Sequence, residues 1–373
     1  MPRSARNDNH MDILKKTLEL CRVYGIKPAR SRGQNFLIEE DFYNKIIEAA
    51  ELRKEDTVLE VGPGLGFLTA KLAKNAGKVI AVELDDKLAE ILKTGLKAQG
   101  VENVDVINED VLKINTFKLL QNCHCEESRP ESGRGDEAIC DGSSKAPTIK
   151  DCHAPLRSAR NDNRIRYKIV ANLPYNITSY FLRKFLSEDP KPESMVLMLQ
   201  KEVAQRIAAK PGEMSLLAVS VQFYAEPKII AKVPASAFWP KPEVDSAIVK
   251  IIPHPIPLLG KERGNLLPLA KGGKKVPLIR GIEGGKEGEI IQPPLPPLSR
   301  GRVNEKEFFR LVRIGFSSKR KMLKNNLANG YHIEQARAEQ WLSAVGLEAK
   351  IRAQELAVGD WLKLLEAVPA NML

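Results

Sequence analysis

The sequence predicts an α/β fold: a mostly parallel sheet covered by helices on both faces, followed by a small α-helical domain. Three observations carry that prediction. From Thr57 to Gln200, short apolar runs rich in Val, Ile and Leu alternate with amphipathic stretches, the pattern of βαβ units whose strands are buried on both faces. The first run ends in Gly62-Pro63-Gly64-Leu65-Gly66, a glycine turn between strand and helix. Beyond Arg302 only the helical period remains,.

Taken in order, Asp12–Val23 and Asp41–Leu52 have helical spacing. Strand Thr57–Gly62 precedes helix Phe67–Asn75, strand Lys78–Leu84 precedes helix Asp86–Gln99, and Val104–Asn108 is a third strand. Strand Tyr167–Leu173, helix Thr178–Leu186 and strand Ser194–Gln200 complete the alternation. Two further β-rich runs, Pro227–Val233 and Val244–Ile252, fit an antiparallel edge,. Helices are expected over Glu305–Phe316, Lys319–Leu327, Glu334–Gly346 and Ala353–Val368.

Two stretches interrupt this order. Residues 122–164 lack hydrophobic periodicity, and residues 253–302 are dense in Pro, Gly and Lys. Neither buries enough apolar area to offset its ordering entropy, so both read as flexible insertions. The heptapeptide RSARNDN occurs at Arg3–Asn9 and again at Arg157–Asn163, which marks residues 1–10 as a non-native-looking extension. The domain plan is therefore 11–252 for the sheet domain and 303–373 for the helical one. Four of the five cysteines (Cys123, Cys125, Cys140 and Cys152) lie in the first insertion. Without a paired C-x-x-C they do not read as a zinc site, and no metal is expected.

The formal net charge of +11 favours a polyanionic partner. No apolar run approaches the roughly 18 residues of a membrane helix, and the amino terminus has no signal-peptide core. A cytoplasmic monomer is the expectation.

The glycine spacing, G-x-G-x-G, differs from the G-x-G-x-x-G that seats a dinucleotide pyrophosphate. Gly62 and Gly64 let the backbone approach a ligand at the carboxyl edge of the sheet. Glu83, ending the next strand, is placed to accept hydrogen bonds from ribose hydroxyls, so the pair indicates a nucleoside cofactor. Asp110, after the third strand, could accept from an adenine amine, although such an Asp is more often a turn former. The fourth strand ends in Asn172-Leu173-Pro174-Tyr175. An exocyclic adenine amine is a poor nucleophile because its lone pair is delocalised into the ring. The Asn172 amide oxygen and the carbonyl of Leu173 or Pro174 can accept its two hydrogens and free that lone pair, while Tyr175 offers a ring for stacking.

Gly33-Gln34-Asn35-Phe36-Leu37, EVGPGLGFLT, VELD, NED and NLPYN together resemble the ribosomal RNA adenine dimethyltransferases, and more closely their small-subunit type. Val233–Ile251 and Phe316–Leu327 are similar to that family too. The resemblance implies a Rossmann-like, class I S-adenosylmethionine-dependent methyltransferase domain. It implies cofactor contacts at Asn35, Leu37, Gly62, Glu83, Asp110 and Asn172, and target-adenine contacts at Asn172 to Tyr175. Phe238 falls where the family has a second aromatic near the target base, with core packing as the competing reading. The implied reaction adds two methyl groups to each of two adjacent adenines in the 3′-terminal hairpin of small-subunit rRNA, within the immature subunit. A large-subunit methyltransferase linked to drug resistance and a non-catalytic assembly factor of the same fold are the alternatives. Lys319, Arg320, Lys321 and Lys324 are expected to hold RNA phosphates, against the plainer reading of a solvated basic face.

Excising residues 123–163 and 256–300, each closed by a short linker, is expected to leave a folded, active chain, because closure entropy varies slowly with loop length. Limited proteolysis of the full chain should cut first in these stretches. Protease resistance of both, or an insoluble double deletion, would show that they are packed structure.

Overall fold

The computed structural model describes residues 3–28, 34–126, 165–254, 304–369 and 372. Gly33, Cys140, Cys152, the second heptapeptide and most of the two intervening stretches lie outside them. The described chain falls into two compact units, Met1–Ala204 with Ala225–Pro253, and Gln205–Tyr224 with His254–Leu373.

In the first unit, α1 runs Arg3–Val23 and β1 is the dipeptide Phe36–Leu37. Then follow α2 (Glu40–Ala50), β2 (Thr57–Val61), α3 (Phe67–Asn75), β3 (Lys78–Glu83), α4 (Asp86–Ala98), β4 (Val104–Asn108) and α5 (Thr116–Glu126). The chain continues with β5 (Lys168–Asn172), α6 (Thr178–Ser187) and β6 (Ser194–Gln200). Next come α7 (Lys201–Ile207), which crosses the unit boundary, and α8 (Leu216–Gln222) in the second unit. Strands β7 (Ala225–Val233), β8 (Phe238–Trp239) and β9 (Ser246–Pro253) return to the first.

The seven-stranded sheet has the order β4-β3-β2-β5-β6-β9-β7. Strands β4 to β6 are parallel, and β9 and β7 pair antiparallel at one side. The order reverses beside β2, the place where open α/β sheets bind ligands beyond the strand ends. Helices α2 and α3 bury Phe42, Ile46, Leu68 and Leu72 against Val58, Val170 and Val196 of the sheet. At the amino edge, Lys168 Nζ lies 2.8 Å from Asp56 Oδ2 and donates to the Glu51 carbonyl at 2.7 Å. No described helix is long and apolar enough to cross a membrane.

Some elements differ from the sequence reading. Helix α1 starts at Arg3, because neither Gly nor Pro interrupts the chain before Val23,. Its buried residues, Ile13, Thr17 and Cys21, recur every four positions on one face. Helix α5 extends to Glu126, past the expected break at 122; the Asn115 side chain caps it by accepting from the Lys118 N–H at 3.0 Å,. The shallow β1–β8 ladder was not anticipated.

In the second unit, α9 (Glu305–Gly315), α10 (Leu323–Tyr331), α11 (Gln335–Ala344) and α12 (Val358–Ala367) pack together. Phe223, just after α8, stacks on Phe308 of α9 with centroids 4.3 Å apart. Residues 205–224 thus cluster with the carboxyl-terminal helices, although their sequence falls between strands of the sheet. The Lys319–Leu327 run is helical only from Leu323; Lys319 and Arg320 form a turn. Buried Asn326 stabilises that turn by donating to the Gly315 and Ser318 carbonyls at 2.6 and 3.1 Å. Replacing Asn326 by Ala leaves the Gly315 carbonyl without this donor and should cost about 1–3 kcal/mol, read as a lower urea midpoint. An unchanged midpoint would show that the turn does not depend on this amide.

Candidate active site

The carboxyl ends of β2, β3 and β5 meet at one cavity, lined among others by Asn35, Leu37, Glu60, Gly62, Gly64, Glu83, Asn172, Leu173, Pro174, Tyr175 and Phe238. Residues separated by two hundred positions in sequence therefore share one site. The amino-terminal side arrives through the short antiparallel ladder, in which Phe36 pairs with Trp239 and Leu37 with Phe238. The Ile38 N–H donates to the Ala237 carbonyl at 2.8 Å, and the buried Tyr43 hydroxyl donates to the Leu37 carbonyl at 2.8 Å. These contacts hold Asn35 and Leu37 at the mouth of the sheet.

The glycine turn is tied to the next strand. Gly64 has φ +57°, and a Cβ there would lie 3.3 Å from the Phe36 ring, so a side chain meets both backbone strain and crowding. Its N–H donates to Glu83 Oε2 at 3.1 Å, while the Asp85 N–H donates to Oε1 at 3.0 Å. Burial raises the Glu83 pKa above the usual carboxylate value, and those backbone donors partly offset the rise,.

At the end of β5, Asn172 Nδ2 donates to the Asn35 carbonyl at 3.5 Å. The next residues distinguish between two carbonyls that the sequence left equivalent. Pro174 O already accepts the Ile177 N–H at 3.3 Å, whereas Leu173 O accepts no hydrogen bond from the described residues. Tyr175 is half-buried, and its hydroxyl lies 2.9 Å from Ser246 Oγ at the start of β9. Phe238 lines the cavity but is only 3% exposed, packed in the core cluster that also contains Leu37, Tyr43 and Met198. Core packing and cavity lining are both properties of this ring.

Three expected site residues have other surroundings. Asp110 is absent from the cavity lining; its Oδ1 accepts the Leu112 N–H at 3.0 Å, the turn-forming alternative. Lys324 forms an ion pair with Glu339, which occupies the charge expected to meet phosphate. Lys321 sits in the exposed α9–α10 connection with Lys319 and Arg320, outside the expected helix.

Glu60 opens the glycine motif, and its residue type and place in the sequence assign it no role. It is 1% exposed, lines the cavity, and neither carboxyl oxygen has a hydrogen-bond partner among the described residues. Burial pushes its pKa up to about 8; the Thr69 hydroxyl lowers it somewhat without meeting either oxygen in hydrogen-bonding geometry, and Glu83 raises it. Lys184 of α6 is a second residue that the sequence did not single out. Its ammonium donates to the carbonyls of Val111, Leu112 and Ile114 at 3.0, 3.0 and 2.6 Å, holding the loop after Asp110. An acid opening the glycine motif was a legible signal for Glu60; nothing local marked Lys184.

A parallel sheet that sets a glycine loop, a carboxylate and an amide side by side is the framework of a Rossmann-like, S-adenosylmethionine-dependent methyltransferase. Two solved structures share the fold. 23S rRNA methyltransferase ErmE gives a TM-score of 0.55 at 23% identity, covering 89% of this chain and 99% of that one. A dimethyladenosine transferase from Plasmodium falciparum gives 0.53 at 23%, covering 87% and 94%. The family model of ribosomal RNA adenine dimethylase matches residues 26–265. The chain belongs to that family and is an S-adenosylmethionine-dependent rRNA adenine dimethyltransferase. A relative from Dehalococcoides mccartyi (strain CBDB1), named ribosomal RNA small subunit methyltransferase A, is 38% identical over 352 residues, covering 94% of this chain and 92% of the relative. One of the same name from Bacillus cereus (strain B4264) is 31% identical over 363 residues, covering 96% and 97%.

The cavity suits this cofactor. The glycine turn keeps side chains away from the ligand path, and Glu60 offers a buried carboxyl, protonated at neutral pH and without a hydrogen-bond partner among the described residues, that a ligand with cationic groups would favour in its ionised form,. In the ligand-free chain, Glu60 has a folded pKa of about 8 against an ordinary 4.5. The folded state therefore binds the extra proton, and stability falls as pH rises between those values. Glu60→Gln should flatten this decline and raise the urea midpoint above wild type at pH 8.5. Parallel pH profiles for the two proteins would remove Glu60 as its source.

Proposed function

We propose that this chain dimethylates the N6 amines of two adjacent adenines in the 3′-terminal hairpin of small-subunit rRNA, acting as a cytoplasmic monomer on the immature subunit. The observation that carries the reading is the end of β5, where two acceptors lie beside the cofactor cavity with no competing donor bound. Asn172 Oδ1 and Leu173 O accept no hydrogen bond from the described residues, and an amine presents two hydrogens. Accepting both makes the adenine nitrogen pyramidal and aims its lone pair. The cofactor supplies an electrophilic methyl group. Tyr175 stacks on the extruded base, with its ring held by the Ser246 contact.

On the cofactor side, Glu83 takes the ribose hydroxyls while its oxygens stay fixed by Gly64 and Asp85. Asn35, Leu37 and Gly62 line the methionine end, and Phe238 closes the cavity behind the target base. A contact from Asp110 to the cofactor adenine requires its loop, held by Lys184, to approach the ligand. The exposed Lys319, Arg320 and Lys321 position the RNA backbone without selecting the base,. The choice of the small subunit is supported by the names of relatives matching over more than nine-tenths of both chains.

Asn172→Ala should reduce single-turnover methylation of unmethylated small subunits about a hundredfold or more, while calorimetry shows only modestly weaker S-adenosylmethionine binding. A loss under about tenfold would remove the amine-accepting role from Asn172. Wild-type enzyme should label small subunits and leave large subunits unlabelled; the reverse preference would overturn the proposed substrate.

A further inference from the structure

Helix α6 begins three residues after Tyr175, at the sheet edge that holds the target loop. It buries Thr178, Phe181, Leu182, Phe185 and Leu186, and it turns Ser179, Tyr180 and Arg183 to solvent. Tyr180 is 69% exposed, more than any other large apolar side chain among the described residues. Leaving such a ring in water forgoes the free energy of burying it, and neither the ring nor its hydroxyl has a partner among the described residues. Arg183 is one helical turn further on the same face; its guanidinium is exposed and forms no ion pair or hydrogen bond with the described residues. The next residue, Lys184, differs by spending its charge on three carbonyls.

We propose that Tyr180 and Arg183 are the landing surface for the unpaired RNA strand beside the target adenine. Tyr180 stacks on a base flanking the adenine held at Tyr175, and Arg183 holds a phosphate of the same strand. The assignment rests on the reading that Asn172 to Tyr175 receive the target adenine. An exposed ring with a free guanidinium one turn away is the combination that binds single strands, stacking for the bases and charge for the backbone. At about 1.5–2 Å rise per residue, the five residues from Tyr175 to Tyr180 span roughly 10 Å, close enough for a nucleotide near the target. The net charge of +11 supports the same partner class.

The test uses the full chain, a fluorescent single-stranded RNA oligonucleotide containing adjacent adenines, and unmethylated small ribosomal subunits. Tyr180→Ala should weaken oligonucleotide binding about tenfold and raise KM for the subunit by a similar factor, with kcat little changed. Tyr180→Phe should retain wild-type values, because the ring is kept. Arg183→Gln should reduce the slope of log affinity against log salt by about 0.7. Calorimetric affinity for S-adenosylmethionine and thermal midpoints should match wild type throughout, since both side chains are exposed. Wild-type RNA affinity and KM in Tyr180→Ala, or equal defects in the Phe and Ala variants, would overturn the proposal. So would a defect seen with subunits but not with the oligonucleotide, which would assign this face to a ribosomal protein. Failure of the wild-type enzyme to methylate either ribosomal subunit would instead strike the reading beneath it.

Discussion

The site depends on the parallel register of β2 with its two neighbours. Val61 is level with Val82 of β3 and with Ala171 of β5, so the next residue of each strand falls on one line. Those residues are Glu83, Gly62 and Asn172, set across strands about 4.8 Å apart. The Glu83 carboxylate and the Asn172 amide thus start from backbone positions roughly 10 Å apart before any side chain adjusts. A slip of one residue in β5 would turn Asn172 to the other face, and no loop movement could restore it. The Gly62 N–H, donating to the Val82 carbonyl at 3.0 Å, extends the ladder into the glycine turn. The line continues through Asn108, whose amide donates to the Glu83 carbonyl at 3.0 Å.

Much of this was legible in the sequence because central parallel strands are buried on both faces and read as continuous apolar runs. Gly62, Gly64, Glu83 and Asn172 could be placed because each ends such a run, and a strand end has a defined location in this architecture. The β1–β8 ladder was illegible for the opposite reason: two residues pairing with two others some two hundred positions away leave no local period. Only the family resemblance joined Asn35 and Leu37 to the site. Tyr180 gave no signal either, since one aromatic residue in an amphipathic helix can face in or out. Lys324 illustrates the limit of reading charge along the chain, because its partner, Glu339, lies on the next helix.

The polar groups at the cavity depart from what stability alone would select. Among the described residues, a buried carboxyl without a hydrogen-bond partner, a left-handed glycine against an aromatic ring and an unpaired strand-end carbonyl each oppose the ordinary satisfaction of buried groups,. All three lie at the carboxyl edge. At the amino edge the pattern reverses, where Lys168 and Asp56 form a close, largely buried pair and Lys168 also serves a helix-end carbonyl.

That polarity bears on how such a gene can change. Strand β9 runs antiparallel to β6, with Ile251 level with Met195 near the start of that strand, so the chain leaves the sheet after Pro253 at the amino edge. The first intervening stretch also rejoins the sheet there, at the beginning of β5. The described chain at these two junctions meets the sheet at its ion-paired border, across the sheet from the strand ends that carry Glu83 and Asn172. A change of length at these junctions is thus made at one rim, while the register that aligns Glu83, Gly62 and Asn172 is set at the other, and natural selection can act on the two rims separately.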